Sequence, residues 1–168
     1  MSHVPPALYA TLAEIVPELH VHCSAPWCLI GSAAALLLGA EVSAADVDVL
    51  TSRADADTLM ALWAERRESV SARADDQLFR SHFGRFRFPG APVEIMGALE
   101  LNADDGWQVV QPGRLQLAGL NGMAVPVPCI EDQIRLFESF GREKDMRRAA
   151  AMRALNASTF TLPVFSSH

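Results

Sequence analysis

Residues 27–51 read WCLIGSAAALLLGAEVSAADVDVLT, and the reading of this stretch decides the fold. Its apolar opening, Trp27 to Ile30, fits a short buried strand, and the chain breaks at Gly31-Ser32 into an alanine- and leucine-rich segment suited to a helix. A tight strand-to-helix turn there leaves the first helical N–H groups without intrahelical partners. Without a Cβ at Gly31, an anion can approach that backbone closely. Gly31 and Ser32 are therefore the expected phosphate seat.

After a spacer of residues 33–45 comes Asp46-Val47-Asp48-Val49. In a strand, the period of two puts both carboxylates on one face and both valines on the other, the acids about 6.5 Å apart along the backbone. Two ionised carboxylates so placed repel unless a cation sits between them or solvent screens them. Magnesium (Mg2+), a hard ion that takes oxygen ligands and substrate phosphates, meets that need.

In this order, Ile30, Gly31, Ser32, a helix-like spacer, Asp46, Val47, Asp48 and Val49, the stretch resembles the signature of the nucleotidyltransferase superfamily of the DNA polymerase β type. The resemblance implies transfer of a nucleoside monophosphate from ATP or another nucleoside triphosphate to an acceptor hydroxyl or similar nucleophile. It also implies two magnesium ions about 3.5–4 Å apart, held by Asp46 and Asp48, that clamp the attacking and leaving oxygens. Pyrophosphate would leave.

The length, 168 residues, fits a single domain able to bury a proper core, with the family-like part at about 27–155 and an irregular tail after 156. Twenty acidic against fourteen basic residues give a net charge of −6, which opposes a broad nonspecific nucleic-acid footprint but leaves room for a local basic groove. The longest uncharged stretch, His20 to Ala40, carries His, Ser, Pro and Gly, so no membrane span is expected. Nothing at the N-terminus reads as an export signal, and the expected location is cytoplasmic. Cys23, Cys28 and Cys129 are odd in number and lack metal-site spacing, which favours reduced thiols over a zinc site or a disulfide framework.

Upstream, Pro5 to Leu19 reads as an amphipathic helix with Leu8, Leu12, Ile15 and Val16 at helical spacing. Downstream, Ala54 to Arg67 reads as a helix burying Leu59, Leu62 and Trp63. Gln77 to Phe88 and Ala91 to Met96 flank Pro89-Gly90 as the arms of a hairpin, and Asn121-Gly122 marks another between residues 116–120 and 123–127. Two closing helices meet at Gly141, the second using Met146, Ala149, Ala150 and Met152 for packing. The fold class is α/β (α+β), a small mixed sheet flanked by helices.

Glu94 stands between Val93 and Ile95, so it faces away from them. The superfamily places its third carboxylate on a later strand in this setting, and the resemblance gives Glu94 the roles of proton acceptor and further metal ligand; Glu100 and the pair Asp104-Asp105 compete. The run Gly141-Arg142-Glu143-Lys144-Asp145 resembles a helix start in small bacterial members of lincosamide-type and abortive-infection toxin-type, where a basic residue lies near the incoming phosphates. Arg142 and Lys144 inherit that role, or are solvated charges. This chain has Arg148 where those relatives often carry a second acid, and Ala44 where Thr or Ser commonly precedes the acidic strand.

His20 and His22 alternate but lack companion ligands, and Arg80, Arg85 and Arg87 either line a polyanion groove or decorate an edge strand. The expected partners are a nucleoside triphosphate and an unidentified acceptor: a small molecule, an RNA or a protein. The alternative is a noncatalytic nucleotide-binding or interaction module of the same fold.

Overall fold

A computed structural model describes residues 4–71 and 74–159. Helix α1 (Pro6–His22) leads into β1 (Cys28–Ile30), α2 (Gly31–Leu37), β2 (Val47–Thr51) and α3 (Arg53–Leu62). A 3-10 turn at Ala64–Arg66 joins α3 to the two-residue β3 (Arg67–Glu68), and a second at Ala74–Gln77 precedes β4 (Phe79–Phe86). Then come β5 (Val93–Ala103), β6 (Gly106–Val109), β7 (Leu115–Leu120), β8 (Met123–Pro128), α4 (Ile130–Phe140) and α5 (Glu143–Thr159).

The main sheet runs β1-β2-β5-β4-β3, with β6 paired to the far half of β5; β7 and β8 form a separate hairpin. Only β2 and β5 are parallel, so the sheet is mixed and the expected α/β class is the class observed. β5 changes partners at a bulge: Ala98 has φ 52°, and the register against β4 shifts between Arg80 and His82. Residues 93–97 therefore pair with β2, and residues 100–103 with β6.

The period of two sorts the sheet's faces. Val47, Val49, Val93 and Ile95 are fully buried in one cluster with Leu8, Leu12 and Ile15 of α1 and Leu59 of α3. Each such aliphatic chain contributes about 1.5–3 kcal/mol relative to exposure. The opposite face carries Asp48, Leu50, Glu94 and Met96, and there Leu50, Met96 and Leu99 join Leu136 and Phe140 of α4. The acidic ends of β2 and β5 remain beside that apolar cover.

Several boundaries differ from expectation. α1 continues past Leu19 to His22, where the Cys23 N–H still donates to the Leu19 carbonyl. The buried face of α3 is Ala56, Leu59, Met60 and Trp63; Leu62 falls off that face and is exposed. In α5 the inward positions are Asp145, Ala149 and Met152, four and three residues apart, so Met146 and Ala150 point outward. α5 also continues through Thr159 instead of becoming irregular after 156, because neither Gly nor Pro interrupts it. β2 pairing starts at Val47, whose N–H donates to the Pro92 carbonyl, so Asp46 sits just ahead of the strand. No helix among the described residues is long and apolar enough to cross a membrane.

Candidate active site

Asp48 is the centre of the site. Its neighbours in register are Ile30 on one side and Glu94 on the other. Asp46, Asp48 and Glu94 each offer a carboxylate oxygen, all within 4.8 Å of one another. Gly31, at φ +73°, closes the near side, and a Cβ built there would stand 2.7 Å from Asp48 Oδ2. The glycine thus leaves room for a carboxylate of the chain itself, a neighbour the spacing alone did not reveal.

The cluster is incompletely neutralised. Arg85, opposite Glu94 in register, places Nη1 2.6 Å from Glu94 Oε1 and 3.6 Å from Asp46 Oδ2, while its Nε donates to Glu68 Oε2 at 3.2 Å. Burial works against the Arg85 charge, but these carboxylates outweigh it and hold the guanidinium above its ordinary range. Arg85 is in direct ion-pair contact with Glu94 and Asp46, and the charge of Arg148 also acts on Asp48. Asp48 Oδ1 is buried with no hydrogen-bond partner among the described residues. Burial holds the Asp48 carboxyl well above the usual carboxylate range, and the charges of Asp46 and Glu94 push the same way.

A lone buried carboxylate oxygen among like charges is a costly arrangement that a hard cation would relieve. The donor set, three carboxylates, fits magnesium.

A cavity of about 460 Å³ opens from the cluster. Its lining includes Gly31, Asp48 and Glu94, the apolar Phe79, Phe83, Met96, Leu99 and Phe140, and, from α5 and the turn before it, Arg142, Asp145 and Arg148. Arg142 is tied down by two acids: Nε and Nη2 reach Asp145 at 2.5 and 3.0 Å, and Nη1 reaches Asp75 at 2.6 Å. Its guanidinium lies 5.0 Å from the Phe79 ring centre. Ser32 is buried, Lys144 is exposed, and neither lines the cavity.

No protein-family model matches the sequence, and no curated protein matches it. Solved structures do. A candidate nucleotidyltransferase of Thermotoga maritima superposes with a TM-score of 0.69 at 23% identity, over 93% of this chain and 97% of its own. The lincosamide antibiotic adenylyltransferase LnuA, with lincomycin bound, superposes with a TM-score of 0.57 at 11% identity, over 92% of this chain and 99% of its own. An antigenic nucleotidyltransferase-like protein of Paracoccidioides brasiliensis gives 0.54 at 19% identity, over 89% and 76%. The chain has the nucleotidyltransferase fold.

Within that fold, Asp46, Asp48, Glu94 and Gly31 come together, and Arg142 lines the cavity that Gly31, Asp48 and Glu94 also line. The competitors of Glu94 are elsewhere: Glu100 is engaged by Arg80 at 2.6 Å, and Asp104-Asp105 form the turn into β6. His20 contacts the Ala124 carbonyl at 2.7 Å and the edge of Trp27, so it is occupied in packing. Of the three arginines around β4, only Arg85 reaches the acids, whereas Arg80 lies over Trp107 and Arg87 is exposed. Sequence reasoning missed the fixed position of Arg85; the signal was the β4–β5 register, which sets it opposite Glu94.

Proposed function

We propose that this chain is a magnesium-dependent nucleotidyltransferase that moves a nucleoside monophosphate from a nucleoside triphosphate to an acceptor. The observation that carries the reading is the clustering of Asp46, Asp48 and Glu94, with Asp48 Oδ1 buried and without a hydrogen-bond partner among the described residues, beside a cavity that Asp48 and Glu94 line. Asp46, Asp48 and Glu94 would hold magnesium, which supplies charge neutralisation to the phosphates and to the attacking and leaving oxygens. The acceptor hydroxyl oxygen forms the new bond to the α-phosphorus, the bond from that phosphorus to the β-phosphate oxygen breaks, and pyrophosphate departs. Glu94 accepts the hydroxyl proton. Gly31, Ser32, Arg142 and Lys144 are assigned to the triphosphate, of which Gly31 and Arg142 line the cavity. The apolar wall from Phe79 to Phe140 limits water around the reacting groups.

The LnuA complex, whose bound molecule is an antibiotic, makes a small-molecule acceptor a natural first candidate to try, beside RNA and protein. A second reading, a nucleotide-binding module without turnover, draws on Arg85: a protein cation already lies against two of the three acids.

Glu94→Gln separates the two. The amide cannot take the proton, so pyrophosphate release should fall about 10²–10⁴-fold while triphosphate binding stays within a few-fold of wild type. Each of the four triphosphates is assayed with pooled cell extract as the acceptor source, beside a calorimetric titration. Wild-type protein that binds triphosphate with magnesium yet releases no pyrophosphate with any pool supports the inert module instead.

A further inference from the structure

The start of α5 carries four basic residues, and the structure distributes them unequally. Arg147 pairs with Glu143 at the surface, 67% exposed, and Lys144 is exposed off the cavity wall. Arg142 lines the cavity, but Asp145 and Asp75 engage its Nε and both Nη atoms. Its planar fork of donors is directed at those carboxylates.

Arg148 is different. It lines the same cavity as Gly31 and Asp48, is 23% exposed, and among the described residues its ion pair is with the fully buried Asp145, through Nη1 at 3.6 Å, beyond hydrogen-bond length. Asp145 thus sits between two arginines, binding one by two short contacts and merely orienting the other. A polyphosphate brought next to three carboxylates is repelled by them, and a guanidinium without short hydrogen bonds among the described residues is the group able to offset that repulsion.

We propose that Arg148 is the principal protein contact of the triphosphate chain, binding a non-transferred phosphate from the α5 side of the cavity while Asp145 holds its guanidinium in place. This rests on the nucleotidyltransferase reading and refines it: the anion contact moves from the helix start to the position six residues beyond Arg142.

The test compares wild type, Arg148→Ala, Arg148→Lys and the surface control Arg147→Ala. Inorganic tripolyphosphate and a nonhydrolysable triphosphate, each with magnesium, are titrated calorimetrically; manganese alone is titrated by electron paramagnetic resonance, and thermal unfolding is recorded. Arg148→Ala should weaken both phosphate probes about 10- to 100-fold, and Arg148→Lys should recover part of the loss. Manganese affinity should stay within about threefold and the unfolding midpoint within about 2 °C, because Arg142 still binds Asp145. Phosphate affinities of Arg148→Ala within twofold of a wild type that does bind overturn this assignment and leave the function standing. Parallel loss of manganese affinity and of the unfolding midpoint also overturns it, by making Arg148 structural. A wild type that binds neither phosphate probe overturns the assignment together with the function on which it rests.

Discussion

Asp48 and Asp55 lie seven residues apart in one strand–helix unit, and the structure treats them in opposite ways. Asp55, buried in the first turn of α3, accepts from the Ser24 and Ala25 N–H groups at 2.9 and 2.8 Å, while its own N–H donates to the Ser52 hydroxyl that caps the helix. Burial alone would raise its carboxyl, but the Ser24 and Ala25 donors, with Ser52, outweigh burial and hold it below the ordinary range. Asp48 has the like charges of Asp46 and Glu94 beside it and a buried oxygen without a hydrogen-bond partner among the described residues, and its carboxyl is held well above that range. A satisfied carboxylate organises the loop before β1. An unsatisfied one, kept so by Gly31 and by its register beside Glu94, is a place prepared for a cation.

Three substitutions break or sharpen this contrast. The largest effect belongs to Asp48→Asn, which should lower pyrophosphate release about 10³-fold, as loss of a preorganised electrostatic group does. Fold stability should move the other way. The folded state binds the Asp48 proton more tightly than the unfolded chain, so wild-type stability falls as pH rises from the usual carboxylate range through the raised folded value. The asparagine variant lacks that fall and should unfold at least about 2 °C higher at pH 7 in chelator. Scanning calorimetry with and without magnesium reads this, and a lower midpoint for the variant in chelator would remove the argument that Asp48 is strained.

Asp55→Ala comes next. Losing a charged acceptor for two backbone donors should destabilise by about 2–3 kcal/mol in urea unfolding at pH 7, with transfer per folded molecule little changed. The sign with pH is opposite to that at Asp48. The Asp55 contribution is present above the usual carboxylate range and lost as pH falls through its lowered folded value, so the deficit of the variant should shrink on acidification. A deficit independent of pH would point to packing instead of charge.

The smallest effect is expected from Gly31→Ala. The left-handed backbone at φ +73° costs a side chain about 1–2 kcal/mol, and its Cβ would press on Asp48 Oδ2. Manganese affinity should fall with the stability, because the pressed atom belongs to the cluster. A folded variant with unchanged manganese affinity would mean that Gly31 serves the turn alone.

Much of this was legible in the chain. The apolar run, the Gly-Ser break and the alternating Asp46-Val47-Asp48-Val49 determined strand, turn, helix and strand, because hydrophobic period and turn chemistry are local properties. They also determined that both valines enter the core while Asp48 faces away from them. Glu94 was readable as an acid on the face opposite Val93 and Ile95, but choosing it over Glu100 needed the parallel pairing of β2 with β5. The bulge at Ala98 then carries Glu100 into a different set of partners. Leu62 and Met146 were misassigned to the core because a helical stripe fixes its facing only when its neighbour is known.

The sequence by itself determined the class of fold, the carboxylate pair and the turn beside it. Only the tertiary structure decided that Gly31 makes room for Asp48, that Arg85 lies against Asp46 and Glu94, and that Asp145 binds Arg142 tightly while leaving Arg148 in the cavity. The physical reason is range: propensity and periodicity act within a few residues, whereas charge pairing and close approach depend on which distant strands and helices are brought side by side.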